Sequence, residues 1–140
     1  EGYNTTASNS YSHAEGGGTT ASGAYSHAEG RDTTAFGSNS HAEGYNTKAS
    51  GGSSHAEGNS TTASSSYSHA EGYYATASGN TSHAEGRYST ASAYGSHAEG
   101  ANVNSSGQAL SDRTVNLSDD STVSIKGSTA AGISSHAEGV

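Results

Sequence analysis

The chain has 140 residues and a formal net charge of −8, with five Lys and Arg and no Cys, Met, Trp or Pro. Five scattered cations argue against nucleic acid, which needs clustered Lys and Arg, and the absence of Cys excludes disulfides and thiolate metal sites. Leu, Ile, Val and Phe number nine, eight of them beyond residue 102, so composition alone describes a chain that cannot bury enough apolar surface to offset its ordering entropy.

The order of the residues reverses that expectation. Glu1-Gly2 is the tail of a pentad Ser-His-Ala-Glu-Gly that starts again, at constant spacing, at Ser12, Ser26, Ser40, Ser54, Ser68, Ser82 and Ser96. A further copy runs from Ser135 to Gly139. Between pentads the pattern is x-x-Thr-Thr-Ala-Ser-Gly-x-x. Fixed-period self-similarity of this kind is the signature of a solenoid. Each coil holds two short strands joined by connections rich in Gly, Asn, Ser, Asp and Tyr, which suit turns. Helix is excluded by Gly at about every seventh residue and by the lack of a 3.6-residue apolar stripe. The expected fold is all-β, a parallel β-roll of 14-residue coils stacked about 4.8 Å apart, so that ten coils would make a rod roughly 50 Å long.

Strand alternation assigns the faces. In the first strand, Ser12, Ala14 and Gly16 form the small, inward set, and His13 and Glu15 point out. In the second, Thr19, Ala21 and Gly23 stay small in every coil, whereas the alternate positions accept Lys48 and Phe36. Ala7, Ala21, Ala35, Ala49, Ala63, Ala77 and Ala91 are therefore expected to line a tube too thin for Leu or Ile.

The outward face of the second strand varies, but that of the first does not. It carries His13 and Glu15, His27 and Glu29, His41 and Glu43, His55 and Glu57, His69 and Glu71, His83 and Glu85, His97 and Glu99, and His136 and Glu138. Rows of like carboxylates at ladder spacing are unfavourable without donors or cations between them. The repeated pair thus predicts a repeated partner on this face.

After the pentad at Ser96 the next one starts only at Ser135. Two coils and a surplus of about Leu110 to Asp120 would fill that distance, with Ser128–Gly132 as a second strand and Ser121–Gly127 as a variant first strand. Arg113–Leu117 and Ser121–Ile125 also alternate around Ser118-Asp119-Asp120, so an inserted hairpin or irregular coil is expected at about 110–127. Within a single domain spanning 1–140, this insertion is read either as an apolar plug or as a receptor contact through Arg113, Val115, Leu117, Asp119 and Asp120.

The coil resembles the head repeat of trimeric autotransporter adhesins, the YadA-like or Hep/Hag repeat. That repeat pairs an S-V-A-I-G-type strand with an A-x-A-x-G-type strand in a coil of the same length. The likeness covers residues 1–109 and 128–140, and similar Ser-His-Ala-Glu-Gly repeats occur in phage tail appendages. The resemblance implies a left-handed roll, a homotrimer about a common axis, and an axis-facing role for the larger first-strand residues, which here are His and Glu in place of Val and Ile. It thereby makes the partner of that face another subunit and the repeated His–Glu pairs the expected subunit interface. It further implies an extracellular setting, on a cell surface or a virion tail, and attachment to a host receptor.

Competing functions are weaker. Thr6-Ala7-Ser8, Thr20-Ala21-Ser22, Thr62-Ala63-Ser64, Thr76-Ala77-Ser78 and Thr90-Ala91-Ser92 form a flat hydroxyl array that suggests ice binding, but Phe36 and Lys48 interrupt it. His and Glu are good metal ligands, yet a structural ladder explains their recurrence equally well, and no metal or other cofactor is assigned. A Ser-His-Glu triad needs one water-excluding pocket, which a smooth repeated surface does not offer, so no catalysis is expected. Tyr11, Tyr25, Tyr67, Tyr73 and Tyr74 are expected at the turns, exposed to solvent or packed along the ladder. No apolar run is long enough to span a membrane, so no membrane insertion is expected. No signal peptide is evident and there is no initiator Met, so the chain is expected to be part of something longer.

Overall fold

A computed structural model describes residues 2–100 in full and the backbone of 113–116, 122–125, 129–130 and 136–138. Strands of the first kind, His13–Gly17, His27–Arg31, His41–Tyr45, His55–Asn59, His69–Tyr73, His83–Arg87 and His97–Glu99, pair in parallel with like residues opposite one another. Gly2–Tyr3 and His136–Glu138 extend this sheet to nine strands. The second strands, from Thr6–Ala7 to Thr90–Ala91 and then Thr129–Ala130, form a parallel sheet of eight. The architecture is the expected parallel solenoid, each coil contributing one strand to either sheet. Among the described residues no helix is long and apolar enough to cross a membrane.

The interior follows from alternation. Ala21, Ala28, Ala35, Ala42, Ala49, Ala56 and their equivalents through Ala98 are fully buried between the two sheets. Thr19, Thr33, Thr47 and Thr61 complete one side, and Ser26, Ser40, Ser54, Ser68, Ser82 and Ser96 the other. Ala7 is the exception to the expected row. It lies in the outermost described coil and is exposed, because only one neighbour covers it.

The serine and threonine columns differ in kind. The hydroxyls of Ser26, Ser40, Ser54, Ser68, Ser82 and Ser96 each donate to the carbonyl three residues before, as from Ser54 Oγ to Gly51 O at 2.7 Å, which staples the turn. Thr19, Thr33, Thr47 and Thr61 Oγ1 are buried without a hydrogen-bond partner, and Ala75 takes the same column position in its coil.

Coil spacing imposes a second constraint. Gly44 has φ +104°, and a Cβ built there would lie 2.2 Å from Gly58 O in the next coil. The pentad glycine is thus required both by backbone conformation and by close approach of the neighbouring strand. Both connections place one residue per coil in the left-handed region, and several of these are tyrosines: Tyr11, Tyr25 and Tyr67 at one, Tyr74 and Tyr88 at the other. Such a conformation in a non-Gly residue costs of order 1 kcal/mol. Tyr25 N–H donates to Ser10 O of the adjacent coil at 2.9 Å, and the Tyr25 ring stacks on Tyr11 at 4.8 Å, which offsets that strain.

Near the C-terminal end the register corrects one expectation. His97 pairs directly with His136, and Thr90 directly with Thr129. The sheets thus advance by a single coil over this stretch, not by two, and the inserted chain is more than twice as long as the expected surplus. Thr122–Ile125 pairs antiparallel with Arg113–Asn116 and does not serve as a first strand of the roll. The reason lies in the glycine column: aligning Ser121 with the pentad serine would put Ile125 where even a Cβ meets backbone, as the 2.2 Å approach at Gly44 shows. Leu117, Asp119 and Asp120 lie outside the described residues.

Candidate functional site: the histidine–glutamate ladder

Because the pentad serine, alanine and glycine face inward, every described pentad His and Glu side chain is thrown to the same outer surface. From His27 to His97 the imidazoles form one continuous column with ring centroids 4.7–4.9 Å apart and planes within 4–15° of parallel. At the end of the column, His13 stands edge-on to His27 at 82°. Even in a single chain, the side chains of His41, His55, His69, His83 and His97 are only 34–37% exposed, since each ring covers the next.

Carboxylates line the edge of the column. His55 Nε2 lies 3.6 Å from Glu57 Oε2 and 3.9 Å from Glu43 Oε1 of the preceding coil. His41 faces Glu29 at 3.6 Å, His69 faces Glu71 at 3.6 Å, His83 faces Glu85 at 3.6 Å and His97 faces Glu99 at 3.5 Å. At the exposed end, His13 Nε2 hydrogen-bonds Glu15 Oε2 at 3.3 Å. Within the column the separations of 3.6 Å and more are charge proximity more than hydrogen bonding, whose usual N–H···O range is roughly 2.7–3.2 Å. Nε2 of His27, His41, His55, His69 and His83 is buried without a hydrogen-bond partner.

Burial holds the His55, His69 and His83 imidazoles below the usual histidine pKa. A charged neighbour in the stack acts in the same direction, and the glutamates oppose both. The central rings are therefore neutral at pH 7. The carboxylates then form a row at about 4.8 Å spacing, where two unit charges repel by roughly 1 to 3.5 kcal/mol as the effective dielectric falls from 80 to 20. Arg31 and Arg87 end their first strands, two residues beyond the glutamates, and Lys48 lies on the other sheet, so no described Lys or Arg stands in the columns of that row.

The site places His13 through Glu99 of the expected interface on one face. His136 and Glu138 continue it in backbone register. The structure also assembles a cluster that strand alternation did not point to. Arg87 Cζ lies 5.2 Å from the Tyr73 ring centre and 5.5 Å from that of Tyr88. Tyr74 stacks on Tyr88, and Arg31 covers Tyr45 at 5.3 Å. Its signal was present in the alignment of coils: Arg31, Tyr45, Tyr73 and Arg87 fall in one column. The hydroxyl array is broken as expected. Phe36 is half exposed and Lys48 Nζ sits 5.5 Å from its ring centre, so bulk and charge occupy the middle of the surface that ice binding would need flat.

A family model, the YadA head domain repeat, matches residues 14–40, 28–47 and 70–92. The chain carries YadA-like head repeats. None of the curated proteins compared matches it. A YadA-like head repeat is a non-catalytic, adhesin-like structural module of surface-exposed proteins, and adhesins of the YadA type are trimeric. The YadA-like assignment also accounts for the recurrence of the ladder, because a solenoid presents one strand motif many times over.

Proposed function

We propose that this chain is a segment of a homotrimeric, left-handed β-roll rod, packed about its axis through the His–Glu ladder and presenting its remaining surface for attachment to a host receptor, on a cell surface or a virion tail. The observation that carries the proposal is the contrast between the two outward faces. The first-strand face holds His and Glu in every described pentad, its histidines stacked from His27 to His97, whereas the second-strand face accepts Phe36 and Lys48. Solvent alone makes no such demand for identical side chains. Meeting copies would supply further donors to the carboxylate row, whose separations from the histidines inside the column are mostly 3.6 Å or more. The inserted hairpin of Arg113–Asn116 and Thr122–Ile125 is the proposed receptor contact, with Arg113, Val115, Leu117, Asp119 and Asp120 as its candidate residues. It leaves the roll between two coils that remain in register, and insertions in repeat proteins map to an exposed, often functional, face.

Sedimentation equilibrium of the purified chain tests the assembly. The expected mass is three times the 13.8 kDa of the chain. A single species at 13.8 kDa across a wide concentration range would refute it.

A further inference from the structure

Within one chain the ladder brings metal-ligand atoms together in a repeating set. His55, Glu57 and His69 each offer one donor atom, and these lie within 4.8 Å of one another. His13, Glu15 and His27 do the same, as do His83, Glu85 and His97. The 3.6 Å between His55 Nε2 and Glu57 Oε2 is close to the ligand–ligand edge of a tetrahedral zinc site, about 3.4 Å for bonds of 2.0–2.1 Å. Nε2 of His55 and of His69 is buried without a hydrogen-bond partner. The adjoining carboxylates supply the negative charge.

We infer that each His–Glu–His set is a clamp for one divalent transition-metal ion of the zinc class, held between two successive coils. Two imidazole nitrogens and one carboxylate oxygen match the preference of such ions, and the nitrogens disfavour Ca²⁺ and Mg²⁺, which take oxygen ligands. Three protein ligands leave one coordination position for water or for a further group.

The stack limits the loading. Two ligands on opposite sides of one ion span at most about 4.2 Å. The His55 and His69 rings are 4.8 Å apart and only 15° from parallel, so to share an ion they must tilt toward each other. The 82° angle between His13 and His27, at much the same spacing, shows that a ring can leave the parallel arrangement. A ring tilted toward one neighbour turns away from the other, so each histidine serves one ion and filled gaps alternate with empty ones. Eight histidines then hold no more than four ions per chain.

The inference does not depend on the trimeric reading, because all donors belong to one chain; if the trimer forms, the ions also offset the carboxylate charge gathered at its axis. The test uses the whole chain, stripped with a chelator, incubated with zinc chloride, passed through a desalting column and analysed for bound zinc by mass spectrometry. Sedimentation is measured in parallel. One to four retained ions per chain are expected. About one should be lost in His55→Gln/His69→Gln and in the milder Glu57→Gln, and none in Thr62→Ala/Ser64→Ala. Cobalt in place of zinc should show the visible absorption of a nitrogen-ligated ion. No retained zinc, more than four ions, or an unchanged count in both ladder variants would overturn the clamp. A zinc-free trimer would sink the clamp alone, and a zinc-loaded monomer the trimer alone.

Discussion

His55 and His69 stack face to face, 4.8 Å between ring centroids and 15° between planes, and each stands against carboxylates. Burial and the neighbouring imidazole lower the pKa of both rings, as they do for His83. The unfolded chain, with histidines near 6.5, then binds more protons than the folded one, so stability rises with pH through this range. Its full value is expected above pH 6.5. It should be lost as pH falls from 6.5 toward the depressed values, and the loss should level off once both states are protonated. Melting temperatures recorded between pH 8 and 5 at constant salt would show this. A chain that melts higher at pH 5.5 than at pH 7.5 would contradict the assignment of neutral, stacked rings.

Replacing His55 and Glu57 together by Ala should loosen self-association and lower the melting temperature. The same treatment of Thr62 and Ser64, on the opposite sheet, should change stability by no more than about 0.5 kcal/mol, the usual range for surface sites. Paired thermal and sedimentation measurements on the two double variants decide the matter. Equal effects would mean that the wrong face has been assigned to the contact.

Two glycines should respond in opposite ways to alanine. Gly44→Ala would force a Cβ to 2.2 Å from Gly58 O at φ +104°, and a loss of at least about 3 kcal/mol, or failure to fold, is expected. Gly52→Ala meets nothing closer than 3.8 Å and should be neutral or stabilising by up to about 1 kcal/mol, through the reduced entropy of the unfolded chain. Chemical denaturation of both variants compares them directly, and similar midpoints would show that the coils are not packed this closely.

The buried hydroxyls should also separate. Thr47→Val removes an Oγ1 that has no hydrogen-bond partner while keeping the side chain's shape, and should be neutral or stabilise by about 1 kcal/mol. Ser54→Ala deletes the buried bond to Gly51 O and should cost about 1 kcal/mol. If Thr47→Val instead destabilises by as much as Ser54→Ala, the threonine hydroxyl has a partner, such as an enclosed water.

Much of the ladder was legible because strand alternation is local: once His13 is placed outward, Glu15 must follow, and the repeat period copies both into every coil. The Arg87–Tyr73–Tyr88 cluster was harder to see because Tyr73 lies one coil before Arg87 and Tyr88 and meets them only through the ladder register, as the partner of Arg87. The hairpin of Arg113–Asn116 and Thr122–Ile125 was one of two readings the alternation allowed; the length of the insertion was underestimated because Thr122–Ile125 also has the alternation of a roll strand.

From the order of residues alone came the period, the two strands per coil, the methyl-sized interior and the outward His and Glu, since side-chain direction in a strand depends only on neighbouring positions. Tertiary structure decided which glycines cannot be replaced, which buried hydroxyls are bonded, which tyrosines sit in left-handed turns, and where the roll resumes after its insertion. The glycines and the resumption of the roll depend on how closely a backbone approaches its counterpart in the next coil, and the bonded hydroxyls and left-handed residues on the geometry of each turn, neither of which alternation specifies.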